Sequence, residues 1–330
     1  MYLITGAGGF LGGYVIREMI AQGVDPREIV GTVNPRRRHE HALPIPEKNV
    51  VGIDVTERCG FVEISMLPEG KKWDAVIHCA AALMIDGHSS RTYYLVNALG
   101  TENALEWARI NGARRFIYTH THSDMNHYPM PVLIDGMEPT FGLYASPTLE
   151  PGKNTLPFIQ SKIAGARAVM EYTRHGAVEG AVLRLSNIRG VGSKDTKYGC
   201  VFHSFIQKAM RDEPIEIWGE HKTRRDFIYV KDVARAIWLA TQAKYVSGIY
   251  NIGSGTGLQI DDEAVDIIRT FSPTGKTPLV YRPEIPEVRK HSLIFNCERA
   301  RREFGWKPQY TYREGLEDMK TIMGVKNDAG

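Results

Sequence analysis

From Thr5 to Gly12 the chain reads Thr-Gly-Ala-Gly-Gly-Phe-Leu-Gly, so Gly6, Gly9 and Gly12 recur every third residue directly after the apolar run Tyr2-Leu3-Ile4. Each glycine meets a separate steric demand. Gly6 permits a tight bend, Gly9 lets backbone N–H groups approach a pyrophosphate, and Gly12 lets the following helix sit close to the strand. A glycine triplet alone is a weak signal, and its surroundings strengthen it. Tyr14, Val15, Ile16, Met19 and Ile20 continue at helical spacing, and Ile29-Val30 then resumes an apolar run, which gives the strand, turn, helix, strand order of a dinucleotide site.

The same alternation continues through the first half. Val50-Val51-Gly52-Ile53-Asp54, Ala75-Val76-Ile77-His78-Cys79-Ala80 and Phe116-Ile117-Tyr118-Thr119 are short apolar runs separated by amphipathic stretches, the pattern of a parallel sheet covered on both faces. Beyond residue 187 the rhythm breaks up around Gly190–Gly192, Ser272–Gly275 and Arg282–Pro286. The expected fold is therefore α/β, a Rossmann-type doubly wound parallel sheet with a smaller C-terminal substrate-binding region. Residues 1–186 are expected to form the dinucleotide domain, with returning segments near 227–255, and residues 187–330 mainly the substrate region. At 330 residues, 43% of them hydrophobic, there is material for a sizeable core in each.

The 41 basic and 38 acidic residues nearly cancel, which points away from nucleic-acid and membrane surfaces and toward small-molecule partners. Cys59, Cys79, Cys200 and Cys297 lie far apart without a metal-ligand spacing, and are expected to be reduced, with Cys79 inside a strand and no metal bound. No apolar run approaches ~18 residues, and a cleavable targeting peptide is not expected, since with the glycine loop beginning at residue 6 it would have to remove the cofactor site. The expected location is cytoplasmic.

Taken together, these residues resemble the extended short-chain dehydrogenases/reductases that act on nucleotide sugars, the epimerase/dehydratase family. The likeness rests on the glycine loop, Asp54-Val55, His78-Cys79-Ala80-Ala81, Asn97-Ala98-Leu99-Gly100-Thr101 and Arg184-Leu185-Ser186-Asn187. It continues with Arg225-Asp226-Phe227-Ile228-Tyr229-Val230, Tyr250-Asn251-Ile252-Gly253 and Phe304-Gly305-Trp306-Lys307-Pro308, and so covers nearly the whole chain. It implies cofactor contacts at Gly6, Gly9, Phe10, Leu11, Gly12, Asp54, Val55, Ala80, Ala81, Asn97 and Lys162. It also implies a homodimer through the helices around Tyr93–Arg109 and Phe158–Tyr172.

Cofactor choice is legible at the second strand. An NAD site usually places a carboxylate about 20 residues past the glycine loop to hold the ribose 2′-OH. Here Ile29 to Asn34 ends without one, and Arg36, Arg37 and Arg38 follow. Guanidinium groups bind a 2′-phosphate through forked, charge-assisted hydrogen bonds, so NADP is favoured. The alternative is NAD, with Asn34 serving its hydroxyls and the arginines forming a solvated loop.

The resemblance implies a Tyr-x-x-x-Lys pair one helical turn apart, in which the lysine lowers the phenol pKa and the phenolate takes the proton of a sugar hydroxyl. The matching segment is Pro157-Phe158-Ile159-Gln160-Ser161-Lys162, so the lysine is present and the phenol is absent. Thr121 matches the third catalytic position. Phe158 is either a natural departure, giving low activity, another base or binding without turnover, or an engineered replacement that removes one oxygen. His120, His122, Tyr128 and Tyr144 are the substitute bases the sequence offers.

The 4,6-dehydratases of this family carry Asp-Glu after the threonine, where this chain has His122-Ser123. That departure ranks a 4-epimerase acting by transient C4 oxidation first, an NADP-dependent keto-sugar reductase second and a dehydratase last. A silent dinucleotide-binding sensor is the alternative from another class. By resemblance Asn187, Arg225 and Arg282 hold the substrate diphosphate, with Thr121 on the sugar.

Overall fold

The apolar runs become seven parallel strands, β1 (Tyr2–Thr5), β2 (Ile29–Val33), β3 (Val50–Gly52), β4 (Ala75–His78), β5 (Arg115–Thr121), β6 (Glu179–Leu185) and β7 (Gly248–Ile252). This computed structural model describes residues 1–36, 42–65, 72–125, 132–133, 155–192, 201–220, 222–285 and 292–325. The strands lie in the order β7-β6-β5-β4-β1-β2-β3. The chain therefore runs outward from β1 to β3 and returns on the other side through β4. That reversal, with Thr5 in register beside His78, opens a crevice at the carboxyl ends of β1 and β4, where ligands of such sheets bind.

Strand residues alternate between two cores because their side chains point to opposite faces. Tyr2 and Ile4 enter one core and Leu3 the other. The covering helices are α1 (Phe10–Ala21), α2 (Gly100–Ile110), α3 (Thr155–Arg174) and α4 (Val230–Gln242). Val15, Ile16 and Met19 of α1 meet Val233, Ile237 and Ala240 of α4 on one face. Ala104, Leu105 and Ala108 of α2 meet Ala166 and Val169 of α3 on the other. The doubly wound α/β architecture expected from the sequence is the one observed.

Outside this sheet, Asn187–Arg189 and Arg225–Tyr229 pair in parallel and Gly257–Leu258 joins antiparallel, while Ile215–Trp218 and Leu279–Arg282 form a second small sheet. Phe202, Phe205, Ile206, Ile267, Phe271, Leu316 and Met319 give this region its own core. Of the segments near 227–255, α4 and β7 return to the large sheet, whereas Arg225–Tyr229 stays in the small one. One expectation for cysteine is corrected: β4 ends at His78, so Cys79 lies just beyond the strand; Cys59 is exposed. Cys200 lies outside the described residues.

Asp226 joins the two regions. Its buried carboxylate accepts from Ser186 Oγ, Ser254 N and Oγ, Gly255 N and Phe295 N at 2.7–3.1 Å. Burial pushes its pKa up, and those donors oppose the rise. The acid thus fixes the ends of β6 and β7 against the C-terminal segment.

Helix α3 approaches the sheet closely at Gly165, where a Cβ would lie 2.5 Å from Asn97 O and 2.6 Å from Tyr118 Oη. Neither neighbour is the loose end of a flexible chain, because Tyr118 Oη donates to Lys162 O at 3.1 Å. Gly165→Ala should therefore cost about 1–3 kcal/mol of overpacking, read as a lowered urea midpoint. An unchanged midpoint contradicts this close packing.

Candidate active site

The glycine turn is built to exclude side chains. Gly6 has φ +70°, and a Cβ there would sit 2.7 Å from Ala80 N. At Gly9 a Cβ would lie 3.1 Å from Gly6 O, and at Gly12 2.4 Å from the same oxygen. Helix α1 starts immediately after Gly9, which gives no side-chain cap, and its first turn carries no acidic residue. The first-turn N–H groups of Phe10, Leu11 and Gly12 lack an intrahelical acceptor and carry the positive end of the helix dipole. This cradle fits a dinucleotide pyrophosphate. Ala80 and Ala81, half-buried, line the facing strand end, and Val55 packs so close to Gly100 that a Cβ there would lie 2.8 Å from it.

At the end of β2, Asn34 Oδ1 accepts from Arg36 N at 2.9 Å. The exposed Arg36 guanidinium stands 3.6 Å from both Asp54 and Glu57. Asp54 Oδ1 also accepts from Thr56 N and Oγ1 at 3.0 and 2.8 Å, holding its own turn. Arg37 and Arg38 lie outside the described residues.

Asn97 is fully buried in a π-helical turn, Leu95–Leu99. Its amide donates to Ala82 O at 3.0 Å and Ser161 Oγ at 3.1 Å, and its oxygen accepts from Ala82 N at 2.8 Å. It therefore pins the segment after β4 to α3, one residue before Lys162. His78 forms a second tie, reaching Thr5 Oγ1 at 2.8 Å and Thr101 Oγ1 at 3.2 Å. Burial, helped by Lys162, depresses its pKa to about 3, so it remains neutral.

Lys162 projects from α3 onto β5. Its buried Nζ donates to Thr119 O at 2.7 Å and lies 4.2 Å from the centre of the Tyr118 ring. Burial lowers its pKa to about 7, with Cys79 opposing the fall, because a cation loses hydration there without gaining a carboxylate. Thr121 closes β5 two residues beyond Thr119, donates to Ser123 Oγ at 3.0 Å and accepts from Ser123 N at 3.1 Å. Phe158, one turn before Lys162, is buried with Tyr93, Ala82, Ile159 and Ile163, its ring edge-on to Tyr93.

The neighbours of Thr121 form a buried polar group, in which the sequence offered His120 and His122 as bases but not Asp124, the residue that ties His120 to Arg184. Asp124 Oδ2 meets His120 Nε2 at 3.1 Å and the Arg184 guanidinium at 3.1–3.2 Å. Burial alone would raise the Asp124 pKa, but His120 and Arg184 outweigh it and hold the carboxyl below its ordinary range. His122 Nδ1 lies 3.2 Å from Leu185 O. Tyr128 and Tyr144 lie outside the described residues. The spacing of His120 and Asp124 gave no signal, since the partner that defines the cluster, Arg184, is 60 residues away.

The residues assigned to substrate divide between two small sheets. Asn187, whose amide donates to Asp226 O at 2.9 Å, and Arg225 begin adjacent strands. Arg282 ends its strand in register with the exposed Trp218, and its guanidinium is 3.5 Å from Glu216.

Residues 2–253 match the model of the NAD dependent epimerase/dehydratase family. The chain belongs to this family. Among relatives, it is 25% identical over 330 residues to a Methanocaldococcus jannaschii protein provisionally named UDP-glucose 4-epimerase, with 99% of each chain covered. It is also 25% identical to the dTDP-glucose 4,6-dehydratase of Salmonella typhimurium, over 97% of this chain and 91% of that one. The UDP-glucose 4-epimerase of Thermotoga maritima, solved with UDP-glucose, shares the fold with a TM-score of 0.75 at 22% identity, covering 98% of both. Among the described residues of this epimerase/dehydratase family member, no helix is long and apolar enough to cross a membrane, and no group of three or more His, Cys, Asp or Glu is placed to hold a metal.

The lowered pKa of Lys162 makes stability depend on pH. Between its ordinary value of 10.5 and about 7, the unfolded chain binds the lysine proton and the folded one does not. The stability this group allows is full above the ordinary value and lost as pH falls to about 7. Lys162→Met should therefore gain on the parent by on the order of 1 kcal/mol per pH unit as pH falls through that window, then level off. Urea melts at several pH values check this, and a difference independent of pH contradicts it.

Proposed function

We propose that the chain is a nucleotide-sugar 4-epimerase that works by transient oxidation at C4, with NADP favoured over NAD. The observation that supports this reading is that α1 starts uncapped just after β1, while Thr121 and the Lys162 amine stand at the carboxyl end of β5, two strands away in the same parallel sheet. A bound nicotinamide dinucleotide supplies the hydride acceptor and donor. Gly6, Gly9 and Gly12 admit its diphosphate to the N–H groups of Phe10 and Leu11, and Ala80, Ala81 and Val55 border it. Thr121 Oγ1 hydrogen-bonds the sugar oxygen that changes between hydroxyl and carbonyl. Asn187, Arg225 and Arg282 hold the substrate diphosphate, so binding energy remote from the reacting carbon orients the sugar. Homodimerisation through the helices around Tyr93–Arg109 and Phe158–Tyr172 is part of this reading, supported by the exposed Tyr94 and Leu99.

A dehydratase needs an acid beside Thr121 to protonate the leaving hydroxyl. Asp124 is the nearby carboxyl in sequence, and it is buried against His120 and Arg184. That favours reactions without water loss, so the second reading is a keto-sugar reductase, which needs only the return of hydride. Phe158→Tyr should raise turnover of UDP- or dTDP-hexoses by roughly 10²–10⁴-fold, read by cofactor absorbance and product NMR. Cofactor binding with no turnover from either form contradicts the enzyme reading and leaves the sensor.

The NADP preference rests on Arg36, which is exposed and held only at 3.6 Å by Asp54 and Glu57, a geometry that a phosphate dianion can outcompete. Arg36→Ala should weaken NADP roughly tenfold or more, the value of a charge-assisted hydrogen bond, and leave NAD nearly unchanged in calorimetric titration. Equal losses for both contradict the assignment.

A further inference from the structure

We propose that Lys162 Nζ itself exchanges the proton of the reacting sugar hydroxyl in this chain, taking the place of the phenol that position 158 lacks. This rests on the nucleotide-sugar reading above. Four observations converge on the amine. The ring of Phe158 stands one helical turn before Lys162 and is walled in by Tyr93, Ala82, Ile159 and Ile163, so no ionisable group of its own occupies that position. Tyr93 is not a substitute, because its hydroxyl donates to Leu83 O and Met84 O at 3.4 and 3.2 Å. Asp124 and His120 are bound to each other, with Arg184 on the same carboxylate oxygen. Among the described residues, Lys162 Nζ makes one hydrogen bond, to Thr119 O, on the strand that ends at Thr121.

A neutral amine so placed keeps its lone pair. One N–H fixes the head on Thr119 O, and the flat face of Tyr118 supports it from one side. The titratable and charged groups around it are His78 and Cys79 at the end of β4, and Tyr118 and His120 on β5, with Asp124 and Arg184 beyond His120. His78 is neutral, burial pushes the Cys79 thiol up to about 12, and Tyr118 is raised in the same way. The nearby carboxylate, Asp124, is already matched by Arg184, so no uncompensated anion holds the proton on Lys162. With the amine at about 7, both protonation states are populated near neutral pH, the condition for a group that must accept and return a proton.

The step balances. The sugar C–H bond would break with its electron pair, which a bound oxidised nicotinamide would take up as hydride. The hydroxyl O–H bond breaks with its proton passing to the Nζ lone pair, and the C–O bond becomes C=O. The reverse step returns both, with the ammonium as the acid.

The test joins three measurements on the full-length chain. The Nζ pKa is read in the cofactor-free protein by carbon NMR of lysine labelled at Cε, with Lys162→Arg identifying the resonance. The pH profile of kcat/KM is recorded with NADP, NAD and UDP-hexoses for the parent and for Phe158→Tyr. Cofactor affinity and kcat are compared for Lys162→Arg, which keeps the charge but cannot shed the proton. The proposal expects the amine to titrate near neutrality and the parent profile to rise with that same midpoint. It also expects Lys162→Arg to lose roughly 10²–10⁴-fold in kcat with cofactor affinity largely kept. An amine that stays charged to high pH overturns it, as does a profile unchanged in Lys162→Arg. A parent without turnover beside an active Phe158→Tyr also overturns it, while sparing the epimerase reading. Inactivity of both forms removes that reading and the proposal with it.

Discussion

Backbone lies on backbone where β1 gives way to α1, and this contact sets up the rest of the site. Gly6 faces Ala80 and Gly12 faces Gly6 at separations that no side chain survives. Because the chain can turn so sharply, α1 starts at the edge of the sheet with its unpaired N–H groups directed at the crevice, instead of being buried under a loop. The strand-order reversal between β1 and β4 then leaves space for a ligand in front of those groups. A side chain at either glycine would push α1 from the sheet and lose the packing of Val15, Ile16 and Met19 as well as the cradle.

The opposite wall of the crevice depends on buried polar groups. Asn97, in its π-helical turn, satisfies Ala82 and Ser161 together, and His78 links Thr5 to Thr101. Such groups are costly to bury unless their partners are complete, so each specifies one arrangement of β4, α2 and α3. The consequence is a rigid placement of Lys162, whose own environment is the least satisfied of the three. Among the described residues it has one carbonyl acceptor and an aromatic face where an ion pair would stabilise the charge.

Legibility in the sequence followed the range of the interactions involved. The glycine turn, the parallel strands and the two-faced cores could be read because each rests on local spacing: three-residue glycine intervals, short continuous apolar runs such as Tyr2-Leu3-Ile4, buried throughout in β1, and helical spacing in α1. The absence of the phenol at 158 was equally plain, one turn before Lys162. What could not be read depends on pairs distant in the chain. The Asp124 carboxylate needs Arg184, the Asp226 carboxylate gathers donors from Ser186 to Phe295, and Arg36 meets Asp54 and Glu57 only after β2 and β3 pair. The expectation of returning segments near 227–255 did not separate Arg225–Tyr229 from β7, and only its register with Asn187–Arg189 shows that it belongs to the small sheet.

The most direct test of the account is a crystal structure of the chain grown with NADP and a UDP-hexose. The diphosphate of the dinucleotide should lie on the N–H groups of Phe10 and Leu11, with the nicotinamide and the sugar ring meeting between Thr121 and Lys162. A dinucleotide bound away from the Gly6–Gly12 turn, or a sugar that approaches neither Thr121 nor Lys162, would contradict it.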